Sequence, residues 1–486
     1  MNFRNVLHVI AWLLAVIGAL MALCGGVAWL CDEPRTDCLA LLWPAAATLL
    51  AALPLGLATR TRRELSRRDG LGIVAFGWLF ASLVAAVPYI LSADIFPGDP
   101  VAAVFEAVSG ITTTGATALR GIDDAPRSLL LWRAFTQYLG GMGVLVLVLA
   151  ILPFAGSGGM QLFRAEMPGP SKDRIEPRMA ATAKCLWGIY IGLTVLLAVL
   201  LRLAGMSGLD AACHAMAAMS TGGFSTRSAG VSAWNSPAIE MLLVAFMLLA
   251  AVNFSLHYRL LRGDWRSWFS NRETHLFFGL FASASLVTAF LVFRAAPAGA
   301  SFLHTLRETA FTCSSLMTTA GFTTADYDRW PALAKGILLV LMLMGGCAGS
   351  TSGGIKLGRV QVAFAAVLRE IRLFMQPQAV LPVRMDGKPI DESIVGSIFS
   401  FLILYFLVLL AGILAMLPLV PDAATAISAA ITSISNTGPG FAAVGPTLDY
   451  AAIPSAGKIV LSLLMLAGRL ELYTLLALLV PAFWRK

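Results

Sequence analysis

The chain has 486 residues, 58% of them hydrophobic and 13% charged, with a mean hydropathy of +0.80 and a formal net charge of +8. A soluble protein of this length carries more charge, so composition excludes that class and points to an integral membrane protein. In such a chain the basic excess reports topology and not a nucleic-acid partner, and seven cysteines without CxxC spacing argue against a zinc site.

Ten apolar spans follow one another: 6–30, 39–59, 71–92, 128–152, 181–203, 237–254, 274–293, 333–345, 393–419 and 457–483. Most reach the ~20 residues needed to cross a bilayer core of ~30 Å. The first lacks a short apolar region and a small-residue cleavage site, so it reads as a retained helix and not a signal peptide. Cys31 and Cys38 flank a polar loop on the outer side; a disulfide and two unpaired thiols are both compatible with that spacing. Basic residues gather in alternate loops. Arg60, Arg62, Arg63, Arg67 and Arg68 follow span two; Arg164, Lys172, Arg174 and Arg178 follow span four; Arg259, Arg262, Arg266 and Arg272 follow span six. Lys356, Arg359, Arg369, Arg372, Arg384 and Lys388 follow span eight, and the chain ends Arg485-Lys486. The positive-inside rule puts this face, and both termini, in the cytoplasm.

On the opposite face four short helical stretches, 100–111, 209–220, 302–317 and 423–435, each precede a loop of small residues. At ~1.5 Å per residue they are too short to cross, but they can enter halfway. Asp99, Ser207, Ser301 and Asp422 stand where N-caps belong. The loops are Thr113-Thr114-Gly115, Thr221-Gly222-Gly223, Thr319-Ala320-Gly321 and Asn436-Thr437-Gly438, with their glycines 108, 98 and 117 residues apart. Irregular backbone at membrane depth is tolerated where it is buried or lines a watery path. Four such loops supply rings of carbonyl oxygens that replace a cation's hydration shell, and the hydroxyls of Thr113, Thr221 and Thr319 add a lower ring, with Asn436 in the fourth place. Glycine permits the φ values that this arrangement requires.

The fold class is therefore an all-α integral membrane protein. An N-terminal two-helix hairpin (1–69) precedes four pseudo-symmetric helix–pore-loop–helix repeats (70–178, 179–272, 273–390 and 391–486) around one pore, giving ten crossings and four re-entrant half-helices.

Span eight runs into Gly345-Gly346-Cys347-Ala348-Gly349-Ser350-Thr351-Ser352-Gly353-Gly354, where each glycine disfavours helix by about 1 kcal/mol relative to alanine. No Gly-Lys-Ser/Thr follows, so it is not a phosphate-binding loop, while a helix-packing site, a kink and a mobile loop all remain open. Arg469 stands in the middle of the last span, where arginine costs at least ~2.5 kcal/mol unless it faces a watery path or a carboxylate. Glu471 is two positions on and so on nearly the opposite face; Glu106 is the other candidate partner. Glu106 and Glu308 are compatible with capping, pairing or attracting cations, and the five histidines show no metal-ligand spacing.

The stretches GITTTGAT (110–117), QYLGGMG (137–143), GMQLFRAEMPGP (159–170), GGFST (222–226), TTAGFTT (318–324), GGCAGSTSGG (345–354), NTGPG (436–440) and GRLELYT (468–474) resemble the Trk/Ktr/HKT superfamily of potassium transporters over essentially the whole chain. The resemblance implies that the twelve loop residues above bind potassium. It also implies that Gly345, Gly346, Gly349, Ser350, Thr351, Gly353 and Gly354 form an intramembrane gate, and that Arg469 is an electrostatic barrier beneath the filter. It further implies residence in a bacterial inner membrane, a homodimer, and control by a cytosolic TrkA-type ring that binds ATP or NAD, with no cofactor on this chain. A serine at the first filter glycine accompanies sodium selectivity in plant members, so Gly115 favours potassium over a sodium or mixed-cation transporter. Two residues depart from the pattern: Ser352, where glycine is usual, and Ser435, where Asn-Asn is commoner than Ser-Asn.

Overall fold

The computed structural model describes residues 1–60, 65–92, 95–143, 179–297, 299–379, 381–385 and 388–484. The distal part of span four, the GMQLFRAEMPGP stretch and the basic residues Arg62, Arg63, Arg164, Lys172, Arg174, Arg178, Arg485 and Lys486 lie outside the described residues.

Among the described residues, six helices are long and apolar enough to cross a bilayer: Phe3–Leu30, Arg35–Ala58, Arg68–Leu91, Thr182–Leu203, Arg272–Ala295 and Glu392–Met416. The first two form the N-terminal hairpin, which packs on the third. Each of the other four opens a unit with the same order: a long helix, a half-helix, an irregular loop and a short second helix. The half-helices are Pro100–Ile111, Gly208–Met219, Phe302–Met317 and Ala423–Ser435. Three start on a capping side chain. Asp99 accepts from the Ala102 N–H, Ser207 from that of Asp210 and Asp422 from that of Thr425, whereas Ser301 makes no side-chain cap. The C-terminal halves of the half-helices are buried almost all round, which is why they carry alanine, serine and threonine where an amphipathic surface helix would carry charge.

The second helices, Arg127–Gly141, Pro237–Ala250, Ala332–Met344 and Ser455–Arg469, have 15, 14, 13 and 15 residues. At ~1.5 Å per residue each spans roughly 20–23 Å, short of a bilayer core. All four stop at a break, not only the glycine-rich third. In the second unit Pro237–Ala250 and Phe254–Leu261 meet at a 97° bend, so span six is not one straight crossing. In the fourth, Glu471 and Leu472 take positive φ (54° and 56°), and the chain resumes as the short helix Tyr473–Ala477. Span ten is thus interrupted, and Arg469 is the last residue of a helix and not the middle of one. Its charge there lies at the partially negative helix end. Among the described residues the helical content is broken by one antiparallel pair, Arg384–Met385 with Lys388–Pro389. Cys31 is an exposed thiol and Cys38 a buried one, with no bond between them.

Candidate ion filter and gate

Each half-helix ends in the same way. The N–H of Thr114 reaches the Ser109 carbonyl (2.8 Å), Gly222 reaches Ala217 (2.8 Å), Ala320 reaches Ser315 (2.8 Å) and Thr437 reaches Thr432 (2.9 Å). This is the Schellman closure, with the residue before each donor in the left-handed region. That residue is usually glycine. Here it is Thr113, Thr221, Thr319 and Asn436, at φ of 56°, 52°, 57° and 55°. The three threonines are held there at about 1–2 kcal/mol each, a strain that gathers at functional sites, whereas asparagine adopts this region routinely. Two residues on, Gly115, Gly223, Gly321 and Gly438 are again at positive φ, 81°, 77°, 78° and 91°.

These glycines close a ring. A Cβ on Gly115 would strike the carbonyl oxygen of Gly222, one on Gly223 that of Ala320, one on Gly321 that of Thr437, and one on Gly438 that of Thr114. Each loop therefore abuts the next, in the order one, two, three, four and back to one. Eight of the twelve candidates make these contacts, and the other four, Thr113, Thr221, Thr319 and Asn436, precede them directly in each loop. Two lower-ring oxygens, Thr113 Oγ1 and Asn436 Oδ1, are buried without a hydrogen-bond partner among the described residues. Asn436 Nδ2 donates to Thr114 Oγ1 (3.0 Å) and the Met465 carbonyl (2.9 Å), which fixes the amide so that its oxygen is the orphan.

The supports behind the loops differ from unit to unit. Gln137 Nε2 donates to the Gly222 carbonyl (2.6 Å) and its Oε1 accepts from the Phe224 N–H (3.1 Å). Ser315 Oγ donates to the Phe322 carbonyl (2.7 Å), and the Tyr450 hydroxyl to that of Gly438 (2.7 Å). On one side of the ring a vestibule of about 210 Å³ is lined by Gly115, Gly223, Gly321 and Pro439. Asp123, Asp210 and Asp449 pair with Arg227 and Arg120 around it.

On the other side lies the glycine-rich loop. Thr319 Oγ1 accepts from the Gly353 N–H (2.6 Å), and a Cβ on Gly353 would strike the Ser435 carbonyl. The loop apex thus sits directly against the bases of the third and fourth filter loops. Gly345, Gly349 and Gly354 are at positive φ of 63°, 73° and 65°. The ascending limb is tied to the second unit. The Cys347 N–H reaches the Ala251 carbonyl (2.9 Å), the Thr351 hydroxyl that of Ala250 (3.1 Å), and the Phe254 N–H the Gly349 carbonyl (3.1 Å). Glu273, buried at the start of Arg272–Ala295, accepts on one oxygen from the Ala348 and Gly358 N–H groups, both at 2.8 Å. Within the loop, Ser352 Oγ accepts from the Gly346 N–H (2.9 Å), Ser350 Oγ bonds the Cys347 carbonyl (2.6 Å), and Lys356 Nζ donates to the Ser352 carbonyl.

Arg469 donates to the Thr351 carbonyl (2.9 Å) and to the Gly140 and Gly141 carbonyls (2.6 and 2.9 Å). It joins the glycine-rich loop to the C-terminal end of the first unit's second helix. Glu106 is not its partner, for Glu106 pairs with Arg133 at 2.8 Å. Glu471 pairs with Arg359, and Glu308 with His304 at 3.6 Å. Arg469, Lys356, Glu471, Ser352 and Gly353 line a cavity of about 70 Å³ below the loop. Sequence reading missed Gln137, Arg133, Glu273 and Tyr450. One signal was available: Arg133 and Gln137 are one helical turn apart on a single face of an apolar span, where charge and amide are out of place.

The description of the TrkH family, a cation transport protein, fits residues 45–486. The chain is 37% identical to the Trk system potassium uptake protein TrkH of Salmonella typhimurium and 36% identical to that of Escherichia coli, in both cases across 100% of each chain. It is 35% identical to the Escherichia coli Trk system potassium uptake protein TrkG, covering 87% of this chain and 86% of that one. The crystal structure of the potassium transporter TrkH from Vibrio parahaemolyticus superposes with a TM-score of 0.89 at 32% identity, over 100% of both chains.

Proposed function

This chain belongs to the TrkH family of cation transport proteins, and from that premise we propose that it carries potassium into the cell across a bacterial inner membrane, with both termini in the cytoplasm. The observation that carries the proposal is the closed ring in which each filter glycine lies against the carbonyl of the next loop. Ions enter from the vestibule, exchange water for carbonyl oxygens in the ring, and then meet Thr113 and Asn436, whose orphaned oxygens complete a lower site. The packing that holds the four residues in the left-handed region also sets those oxygens in place before an ion arrives.

Below, the loop of residues 345–354 is the gate and stands across the path. Its contact with Thr319 couples it to the filter, and Arg469 both adds a positive barrier and latches the loop through Thr351. Opening moves the apex while Glu273, Ala250 and Ala251 hold the base. A TrkA-type cytosolic ring, itself the binder of ATP or NAD, would drive that motion on a homodimer of this chain; the chain itself needs no cofactor. The repeat boundaries 70–178, 179–272, 273–390 and 391–486 follow from the same reading. Glycine at position 115 supports potassium against the sodium or mixed-cation alternative of the superfamily. The test is growth rescue of a potassium-uptake-deficient bacterium at low potassium. Rescue is expected with the matched cytosolic partner present, and failure with that partner supplied would overturn the proposal.

A further inference from the structure

Behind the first two filter loops lies a buried ion pair that conduction itself does not call for. Glu106, on Pro100–Ile111, meets Arg133, on Arg127–Gly141, with Nη2 and Nε at 2.8 and 2.9 Å from one carboxylate oxygen; the side chains are 0% and 2% exposed. Glu106 also accepts from the Thr117 hydroxyl (3.0 Å) and the Ala118 N–H (2.8 Å). Arg133 Nη2 reaches Thr117 Oγ1 (3.2 Å), its Nη1 reaches the Ser225 carbonyl (3.1 Å), and the guanidinium lies 4.0 Å from the centre of the Phe224 ring. Thr117 is two residues beyond Gly115, and Ser225 two beyond Gly223. One pair thus fastens the outer limbs of two neighbouring loops to each other.

The fold alone does not demand it. Nine residues before the filter glycine, the other units carry His214, Thr312 and Ala429 where the first has Glu106. Nor does stability demand it, since a buried ion pair is often matched or bettered by apolar residues of similar volume. What the pair supplies is direction: a planar fork held by a carboxylate on one side and a backbone carbonyl on the other resists displacement in a way one neutral hydrogen bond does not.

We propose that Glu106 and Arg133 are specificity-determining positioning residues, setting the separation of the first and second loops so that the ring fits potassium and does not collapse onto the smaller sodium ion. The inference rests on reading the four loops as a potassium filter, and its test separates the two. The protein is reconstituted into liposomes and the K⁺/Na⁺ permeability ratio is measured for wild type, Arg133→Lys, Glu106→Gln, the double variant Glu106→Gln with Arg133→Met, Thr117→Val and Gly115→Ser, with a melting curve for each. Arg133→Lys keeps the charge and loses the fork. It is expected to lower the ratio at least several-fold while potassium flux persists, with Glu106→Gln doing the same and the double variant adding little beyond either. Where a charge variant does not fold, Thr117→Val, which orphans no charge, carries the test with a smaller loss of selectivity. Ratios unchanged in every folded variant, Thr117→Val included, while Gly115→Ser shifts its own, overturn the role of the pair and leave the filter standing. A ratio unchanged in Gly115→Ser as well overturns both.

Discussion

Ser352 is the residue where the proposed gate departs from the glycine usual in the superfamily, and the structure gives the departure a consequence. Its hydroxyl accepts from the Gly346 N–H at 2.9 Å, bonds Ser350 Oγ at 2.9 Å and lies 3.3 Å from Lys356 Nζ, so it staples the two limbs of the loop together. Ser352→Gly removes the staple and leaves the buried Gly346 N–H without its acceptor, at about 1–3 kcal/mol. The added freedom of a glycine backbone pushes in the same direction, by about 0.5–1 kcal/mol. An open loop lets water reach that N–H, so the loss falls mainly on the closed form. A bias of about 1–3 kcal/mol corresponds to roughly a 5- to 150-fold shift toward open. The assay is rubidium-tracer uptake into proteoliposomes without any cytosolic regulator, per unit of folded protein, with thermal unfolding as the control. Basal flux is expected to rise by a factor in that range at unchanged K⁺/Na⁺ ratio. Flux equal to or below wild type, with unfolding unaltered, would refute the idea that the limbs part when the gate opens.

Three further outcomes follow from the same contacts. Glu273→Gln turns two charge-assisted bonds, to the Ala348 and Gly358 N–H groups, into neutral ones, a loss of about 1 kcal/mol each; because these bonds hold the base of the loop in the closed and open forms alike, the melting temperature should fall while regulator-independent flux and selectivity in the liposome assay stay at the wild-type level. Gly223→Ala places a methyl group on the Ala320 carbonyl at a φ of 77°, so potassium flux should fall at least tenfold while the protein still inserts and is extracted intact. Burial alone would raise the Asp99 carboxyl, but the Ala102 N–H and the Lys458 ammonium outweigh it and hold the group below the usual carboxylate range. A depressed folded value means a contribution to stability that is present above the ordinary carboxylate range and lost as pH falls through the folded value. Thermal unfolding of Asp99→Asn should therefore be less stable than wild type at neutral pH and show a flatter loss toward pH 3.

What the sequence discloses, and what it conceals, has a physical pattern. Three half-helices, Pro100–Ile111, Phe302–Met317 and Ala423–Ser435, have the bounds expected from composition and capping residues, and that of the second unit, Gly208–Met219, is displaced by one residue. Helix starts are written in side chains, as Asp99 and Ser207 illustrate, and the filter is written in glycine. The glycine-rich break after Met344 was legible for the same reason. The breaks in the second and fourth units were not. Leu470-Glu471-Leu472 has ordinary helical propensity, and Glu471 and Leu472 are held at positive φ by their surroundings; Leu472 is fully buried and Glu471 is paired with Arg359. Arg469 therefore read as mid-span when it is the end of a helix. Pairings such as Glu106 with Arg133, 27 positions apart, depend on how two helices face each other, which a one-dimensional pattern does not record.

The central claim is that four unequal loops of one chain make a single potassium-selective ring. The bi-ionic reversal potential of the purified, reconstituted chain, with potassium on one side and sodium on the other, tests it most directly. A potential close to the potassium equilibrium value in the wild type, moving toward zero in Gly115→Ser, is the expected result. A wild-type potential near zero, or one that Gly115→Ser leaves where it was, would contradict the claim.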